Sequence, residues 1–292
     1  MKFYYINLNK SKERNENMIT FFNNLSLYLD EKIDYNRIEG LDANSEDNLD
    51  NYIKDGKFED MLAILYLKNS KATIYGSLKP PKNKTIYTKE LKKSEFGCLY
   101  SHVKAISEFY NTEDKVGLIC EDDLSSNFLY KKDYFKEKFN SLVHDIDKYG
   151  IISLSCVGNI RTIKFCLNTN KQLHKFEPYF FYGSGSYIIN RKTAKDILDN
   201  ISHFDDKLLL KINNTTSYVA DNYIYSKTNA HFLIPSLIFT NDAFETTIDN
   251  DTNNHKQVQI LMQGYINKPK ISYKNNRSRK RLLNNKLLAL YK

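Results

Sequence analysis

Residues 116–123 read VGLICEDD, a short apolar run that ends at three consecutive carboxylates. An uninterrupted apolar run of this length predicts a buried strand. Ligands of open α/β sheets bind beyond the carboxyl ends of the strands, so we expect Glu121, Asp122 and Asp123 at a ligand site. Two other interpretations fit the same residues: an acidic loop at the end of a strand, or Asp123 capping a following helix.

The outer two carboxylates have the spacing and chemistry of metal ligands. Glu121 and Asp123 flank Asp122, so both can turn their oxygen atoms toward one site while Asp122 points elsewhere. Hard oxygen atoms are typical ligands of Mn²⁺ or Mg²⁺, and such an ion would bridge to a diphosphate. The sequence therefore predicts a site for a divalent cation here.

The rest of the sequence predicts an α/β domain around this strand. A first strand at 2–8 (KFYYINL), a helix from Ser11 or Lys12 and a second strand at 34–38 form the strand–helix–strand start of an α/β sheet. Further patterns predict helices at 58–67, 96–110, 130–148, 191–198 and 221–225, and strands at 151–155 and 232–239. Residues from about 42 to 93 are expected to be an irregular excursion of the kind that holds an acceptor.

The composition is that of an ordinary soluble protein. The 292 residues are 41% hydrophobic and 27% charged, and the net charge of +8 suits an anionic partner without choosing among nucleic acid, phospholipid and phosphate-bearing small molecules. No apolar run reaches the roughly 18 residues of a membrane span, and the N-terminus does not resemble a signal peptide. The four cysteines lack metal-site spacing and fit a reducing compartment, which predicts a cytoplasmic protein.

A second segment of interest lies about twenty residues before the carboxylates. Residues 96–102 read FGCLYSH, and Gly97 would allow a helix to pack closely against the sheet. Ser101 and His102 then fall on the first turns of that helix. A single histidine on a helix is more often structural or solvated than functional, and Ser101 alone indicates nothing.

Together these segments resemble glycosyltransferase family 25, which includes lipopolysaccharide sugar transferases and collagen galactosyltransferase domains. The segments FYYINLNKSKERNENM, RIEGLDA, EFGCLYSHVKAI, VGLICEDD and GSGSYIINRKTAKDIL occur in the family's order. The resemblance covers roughly residues 1–245, and its specific part is the pairing of G-C-x-x-S-H with E-D-D. It implies a GT-A-like nucleotide-binding sheet flanked by helices, here expected at 1–267 and followed by a tail at 268–292.

The resemblance also implies roles for single residues. Glu121 and Asp123 match the metal and diphosphate carboxylates. Donor-binding positions match six further residues: Asn7, Leu8, Arg14, Ser101, His102 and Asp122. Asp221 matches an aspartate that opens a later helix and is the candidate general base, with a helix N-cap as its alternative. A third metal ligand is expected from His255 or Asp242, although no motif fixes either one.

The implied reaction is the inverting transfer of a hexose from a UDP-sugar to a hydroxyl of a glycan, lipopolysaccharide-like or protein acceptor. Two alternatives stay open: a protein of the same fold that binds nucleotide-sugar without turnover, and a nucleic-acid-binding protein. The second is disfavoured because no motif interleaves basic and aromatic residues. A two-metal nuclease would need further ordered carboxylates that the sequence does not offer.

The C-terminal segment differs in composition from the rest. Residues 275–292 place four basic residues before a leucine-rich stretch (NNRSRKRLLNNKLLALYK). A basic cluster joined to an amphipathic helix predicts peripheral contact with an anionic membrane surface. The alternatives are a final helix packed on the domain, or a frayed, solvated end.

Overall fold

The computed structural model describes residues 1–43, 71–74, 87–90, 93–177, 180–199, 201–204, 207–210, 220–226, 228–241, 243–244 and 252–267. The predicted helix at 58–67, the candidate ligand Asp242 and the tail at 268–292 lie outside these residues.

The described residues form the following elements. The strands are β1 (Lys2–Asn7), β2 (Tyr35–Glu39), β3 (Lys71–Ile74), β4 (Tyr87–Glu90), β5 (Val116–Glu121), β6 (Ile151–Ser153), β7 (Val157–Gly158), β8 (Leu173–Lys175), β9 (Phe181–Tyr182), β10 (Ser186–Asn190), β11 (Ile201–Phe204), β12 (Lys207–Leu210) and β13 (Ala230–Leu233). The helices are α1 (Lys12–Leu29), α2 (Lys93–Tyr110), α3 (Lys132–His144), α4 (Ile146–Tyr149), α5 (Ile160–Leu167), α6 (Arg191–Leu198), α7 (Ala220–Ser226) and α8 (Thr252–Ile266).

A seven-stranded mixed sheet organises the fold, in the order β2-β1-β5-β10-β6-β13-β8. Strand β1 runs parallel to β2 and β5, and β13 runs parallel to β6. Strand β10 is antiparallel to both of its neighbours, β5 and β6, and β8 is antiparallel to β13. The α/β class predicted from the sequence is therefore confirmed, with β10 as the inserted antiparallel strand.

Helices cover both faces of this sheet because successive side chains of a strand point to opposite faces. Phe3 and Tyr5 of β1 belong to one apolar core, which α1 and α3 complete. Tyr4 belongs to the other core, which α2, α6 and α7 complete. Helix α1 is amphipathic as the sequence predicts, and it buries residues at helical spacing, namely Met18, Phe21, Phe22 and Leu25.

The structure corrects some predicted boundaries. The helix predicted at 130–148 is divided into α3 and α4 at Asp145, whose backbone leaves the helical conformation (φ −88°, ψ 1°). The strand predicted at 232–239 ends at Leu233, because Pro235 has no N–H to donate to a sheet ladder. The helix at 191–198 has the predicted bounds and begins after Asn190, whose side chain accepts the N–H of Thr193.

Within the described residues, the structure contains no helix long and apolar enough to cross a membrane.

Gly97 permits a close approach between α2 and the loop that follows β2. A Cβ atom placed on Gly97 would lie 2.5 Å from the carbonyl oxygen of Leu41. The Oγ of Ser101 stabilises this contact between α2 and the loop. It donates to the carbonyl of Gly97 at 2.6 Å and accepts the N–H of Leu41 at 2.9 Å. Gly97 therefore packs the helix against this loop rather than directly against the sheet.

We expect Gly97→Ala to lower the free energy of unfolding by about 1–3 kcal/mol, because a backbone atom must move to admit the new methyl group. The matched control is Gly264→Ala in α8, where an added Cβ meets nothing within 4 Å. That control should be neutral or stabilise by up to about 1 kcal/mol, since alanine favours a helix more than glycine does. Denaturant unfolding measures both, and equal effects of the two substitutions would contradict the packing argument.

Candidate functional site

The candidate site lies where β1 and β5 end. The two strands are parallel neighbours with Ile6 opposite Glu121, so Asn7 lies next to the three carboxylates. This is the edge of an α/β sheet at which ligands bind.

Asp122 connects the first strand and first helix to the end of β5. Its Oδ2 accepts a hydrogen bond from Asn7 Nδ2 at 2.7 Å, and its Oδ1 forms an ion pair with Arg14 at 2.9 Å. Burial raises the pKa of Asp122, and the contacts from Arg14 and Asn7 offset only part of that effect. Arg14 in turn lies over the ring of Phe244 at 5.3 Å. Both oxygen atoms of Asp122 are thus engaged by the protein itself.

Glu121 is held through one oxygen atom. Its Oε1 lies 3.2 Å from His102 Nε2 and accepts a hydrogen bond from Ser184 Oγ at 2.6 Å. Burial acts to raise the pKa of Glu121, but the His102 and Ser184 hydrogen bonds outweigh it, and the pKa is lowered. His102 is fully buried, and its Nδ1 lies 3.1 Å from the hydroxyl of Tyr187. The Tyr187–His102–Glu121 series therefore fixes the orientation of this carboxylate.

Asp123 has the opposite environment. Its Oδ1 is buried and has no hydrogen-bond partner. Burial, followed by the charges of Glu121 and Asp122, raises its pKa to about 7. A buried carboxylate oxygen without a donor is costly, and a bound cation is one kind of group that would satisfy it.

A cleft opens beside these groups. It has a volume of about 120 Å³, and Leu8, Arg14, Ser101, His102 and Glu121 are among the residues that line it. The predicted donor-binding residues are thus brought together, although Ser101 is occupied by its two backbone contacts. A larger cavity of about 720 Å³ lies at the β8 edge of the sheet but includes none of the carboxylates, so volume alone does not locate the site.

Asp221 is the second residue of α7 and is therefore not its N-cap. Its Oδ2 accepts the N–H of Gly183 at 2.9 Å, and its Oδ1 accepts the N–H of Asn222 at 2.7 Å. Burial raises its pKa, partly offset by these two hydrogen bonds. Gly183 adopts a positive φ of 95°, which a side chain would disfavour. It precedes Ser184 in the same turn, so the hydrogen bond from Gly183 to Asp221 also holds the turn that carries Ser184.

His255 lies on α8, with its ring centroid 5.8 Å from that of Tyr182. Among the described residues, the group of potential metal-ligand atoms consists of Cys98, His102 and Glu121, and neither Asp123 nor His255 is in it. Its role as a third ligand stays a prediction.

Sequence reasoning missed Cys98 as a member of the site, and it related residues 183–187, which include Ser184 and Tyr187, only to the turn before an acceptor-side strand. Its place in an apolar stretch predicts that Cys98 is a small core residue, whereas it lines the cleft beside His102 and Glu121. The signal available was the spacing of four between Cys98 and His102, which places both on one helix face. The contacts of Ser184 with Glu121 and of Tyr187 with His102 had no local signal, since they arise through the pairing of β10 with β5.

The family comparison agrees with the resemblance seen in the sequence motifs. The model of glycosyltransferase family 25 (LPS biosynthesis protein) matches residues 1–216 of the 292-residue chain. That range contains Asn7, Arg14, His102 and the three carboxylates.

Comparison with solved structures is less informative. The crystal structure of S. aureus TarS 1-349 is similar to this chain with a TM-score of 0.37 and 12% identity, over 99% of this chain and 80% of that one. A similarity of this degree does not bear on the fold or the activity. No curated protein sequence matches the chain. Since the family match spans about three quarters of the residues, the chain belongs to glycosyltransferase family 25, a family of enzymes that transfer glycosyl groups.

Proposed function

We propose that this chain transfers a hexose from a UDP-sugar to a hydroxyl group of a glycan, lipopolysaccharide-like or protein acceptor, with the help of Mn²⁺ or Mg²⁺ and with inversion at the anomeric carbon. The observation that carries the proposal is the buried, unpartnered Oδ1 of Asp123 beside Glu121, at the sheet edge where ligands bind. Membership of the family supports glycosyl transfer, and the unpartnered oxygen of Asp123 supports the involvement of a cation.

The residues present fit such an ion. Glu121 has one oxygen held by His102 and Ser184, so its second oxygen is available to a ligand. Asp123 offers an oxygen that no protein donor satisfies. These carboxylate oxygens are the ligand type that Mn²⁺ and Mg²⁺ prefer. A bound ion would supply the positive charge that stabilises the departing diphosphate.

The protein's own groups complete the donor half of the proposed site. Asn7 and Arg14 keep Asp122 in place, and Arg14 also lines the cleft, so its guanidinium contributes positive charge where a diphosphate would lie. Leu8 gives the cleft an apolar wall at the end of β1, suited to the edge of a nucleotide pocket. This arrangement supports the GT-A-like assignment of the nucleotide-binding half.

Asp221 is the proposed base that accepts the proton of the acceptor hydroxyl. Its carboxylate is buried, and its raised pKa favours taking up a proton during the reaction. It accepts the N–H of Gly183, whose neighbour Ser184 donates to Glu121, so it lies near the carboxylates of the donor half. The proposal also includes a cytoplasmic location and peripheral membrane contact. A tail at 268–292 would bring the enzyme to lipid-linked acceptors at a membrane surface.

We expect Asp123→Asn to abolish Mn²⁺-dependent transfer from a UDP-sugar while raising the stability of the metal-free protein by about 1–3 kcal/mol at pH 8, because it removes a buried, unpaired charge. A UDP-sugar transfer assay, run with and without Mn²⁺, and denaturant unfolding measure the two effects. The control is Glu137→Gln at an exposed position of α3, which should change neither. A variant that retains metal-stimulated transfer would exclude Asp123 as a ligand.

The raised pKa of Asp123 predicts a pH dependence of cation binding. Below its pKa of about 7 the carboxyl is protonated, so Mn²⁺ affinity should fall about tenfold per pH unit there and level off above it. Because the folded-state pKa exceeds the ordinary 3.8, this group destabilises the metal-free fold progressively as pH rises between those two values. Mn²⁺ titrations from acidic to mildly alkaline pH test this, and the same pH profile in Asp123→Asn would refute the assignment.

We expect Asp221→Asn to lower the turnover number of transfer by about 10²–10⁴-fold while UDP affinity in the presence of Mn²⁺ stays unchanged, because a general base acts in the chemical step and not in donor binding. Steady-state transfer assays and UDP calorimetry separate the two. If UDP affinity fell in parallel with turnover, Asp221 would instead be a support for the Gly183 turn.

A further inference from the structure

A second group of potential ligand atoms lies beside the carboxylates. The Sγ of Cys98, a ring nitrogen of His102 and a carboxylate oxygen of Glu121 all lie within 4.8 Å of one another. Cys98 and His102 are one turn apart on α2, so they present their side chains on the same helix face. All three residues line the cleft, which gives an ion a path from solvent.

We infer that Cys98, His102 and Glu121 form a binding site for a borderline-soft divalent cation, with Zn²⁺ as the best fit. One thiolate, one imidazole and one carboxylate make a ligand set that Zn²⁺ accepts, and the cleft leaves its fourth position open. Mn²⁺ and Mg²⁺ prefer oxygen, so they favour Glu121 and Asp123 over this set. The two sites share Glu121. The Zn²⁺ site adds Cys98 and His102 to it, whereas the Mn²⁺ or Mg²⁺ site adds Asp123.

The distances suit such a site. His102 Nε2 lies 3.2 Å from Glu121 Oε1. Two ligand atoms at ordinary bond lengths from a tetrahedral Zn²⁺ ion are about 3.4 Å apart, so this pair already has the separation of neighbouring ligands. The thiol of Cys98 is within 4.8 Å of both, which leaves about 1 Å for side-chain movement to close. When the cation binds, the thiol proton leaves to solvent. His102 then binds as the tautomer protonated on Nδ1, which donates to the Tyr187 hydroxyl, and its Nε2 hydrogen bond to Glu121 is given up.

The groups behind the ligands are also those of a metal site. A histidine ligand almost always uses its second ring nitrogen to contact an outer partner, which fixes its orientation. Here Nδ1 of His102 contacts the hydroxyl of Tyr187 at 3.1 Å, and Nε2 is the nitrogen beside Glu121. Ser184 donates to Glu121 at 2.6 Å and holds that ligand in the same way. These contacts exist in the protein without any ion, so the site is preorganised.

Both cation sites use Glu121, and this has a consequence for activity. An ion on Cys98, His102 and Glu121 competes for the carboxylate that the proposed transfer reaction needs. Zn²⁺ should therefore inhibit transfer that Mn²⁺ supports, and the inhibition should depend on Cys98. This consequence rests on the proposed function, whereas the site itself does not.

Co²⁺ provides the direct test because its electronic spectrum reports a bound thiolate. Reduced, metal-free full-length protein is titrated with Co²⁺ while absorption is recorded. We expect a thiolate-to-cobalt charge-transfer band that is lost in Cys98→Ser, with Co²⁺ affinity at least about tenfold lower. The controls Asp123→Asn and Cys166→Ala should both keep the band. Absence of the band in the wild type, its persistence in Cys98→Ser, or its loss in Asp123→Asn would each overturn the inference.

Two further measurements separate this site from a merely structural arrangement. Tyr187→Phe, which leaves all three ligands in place, should keep the charge-transfer band but weaken Co²⁺ binding by about 10–100-fold. Unchanged affinity in that variant would contradict the support role of Tyr187. Zn²⁺ added to a Mn²⁺-supported transfer assay should inhibit the wild type more strongly than Cys98→Ser. A cobalt band without Mn²⁺-dependent transfer would refute the proposed function alone, and the reverse result would refute this inference alone.

Discussion

The carboxylate of Asp122, held by Asn7 on one oxygen and by Arg14 on the other, is the contact on which the geometry of the site depends. It joins residues more than one hundred positions apart and ties β1 and α1 to the end of β5. Because the middle carboxylate is fixed, its two neighbours keep constant positions relative to the cleft.

Three adjacent carboxylates would repel one another in a uniform environment, and the fold gives each a different one. Asp122 has a guanidinium and an amide, Glu121 has an imidazole and a hydroxyl, and Asp123 has no donor on its Oδ1. The pKa of Glu121 is therefore lowered while that of Asp123 is raised to about 7. Unequal environments of this kind divide chemically similar groups into fixed supports and groups available to a ligand.

The sequence predicts those parts of the molecule that depend on local pattern. The apolar run before Glu121 and the amphipathic period of α1 are such signals, and the helix after Asn190 has its cap beside it. Contacts between distant residues had no such signal. Ser184 and Tyr187 reach Glu121 and His102 only because β10 pairs with β5, and Cys98 resembles a core residue until the cleft beside it is known. The break between α3 and α4 at Asp145 likewise had no sequence signal, because no glycine or proline lies at that position.

The antiparallel strand β10 affects the order in which the protein is completed during synthesis. Strands β5 and β6 leave the ribosome before β10, yet each pairs with β10 in the native sheet rather than with the other. Until residues 186–190 emerge, both strands have an open edge whose unpaired backbone groups can pair with incorrect strands. The segment that fills the gap between β5 and β6 is therefore the same one that brings Ser184 and Tyr187 to Glu121 and His102.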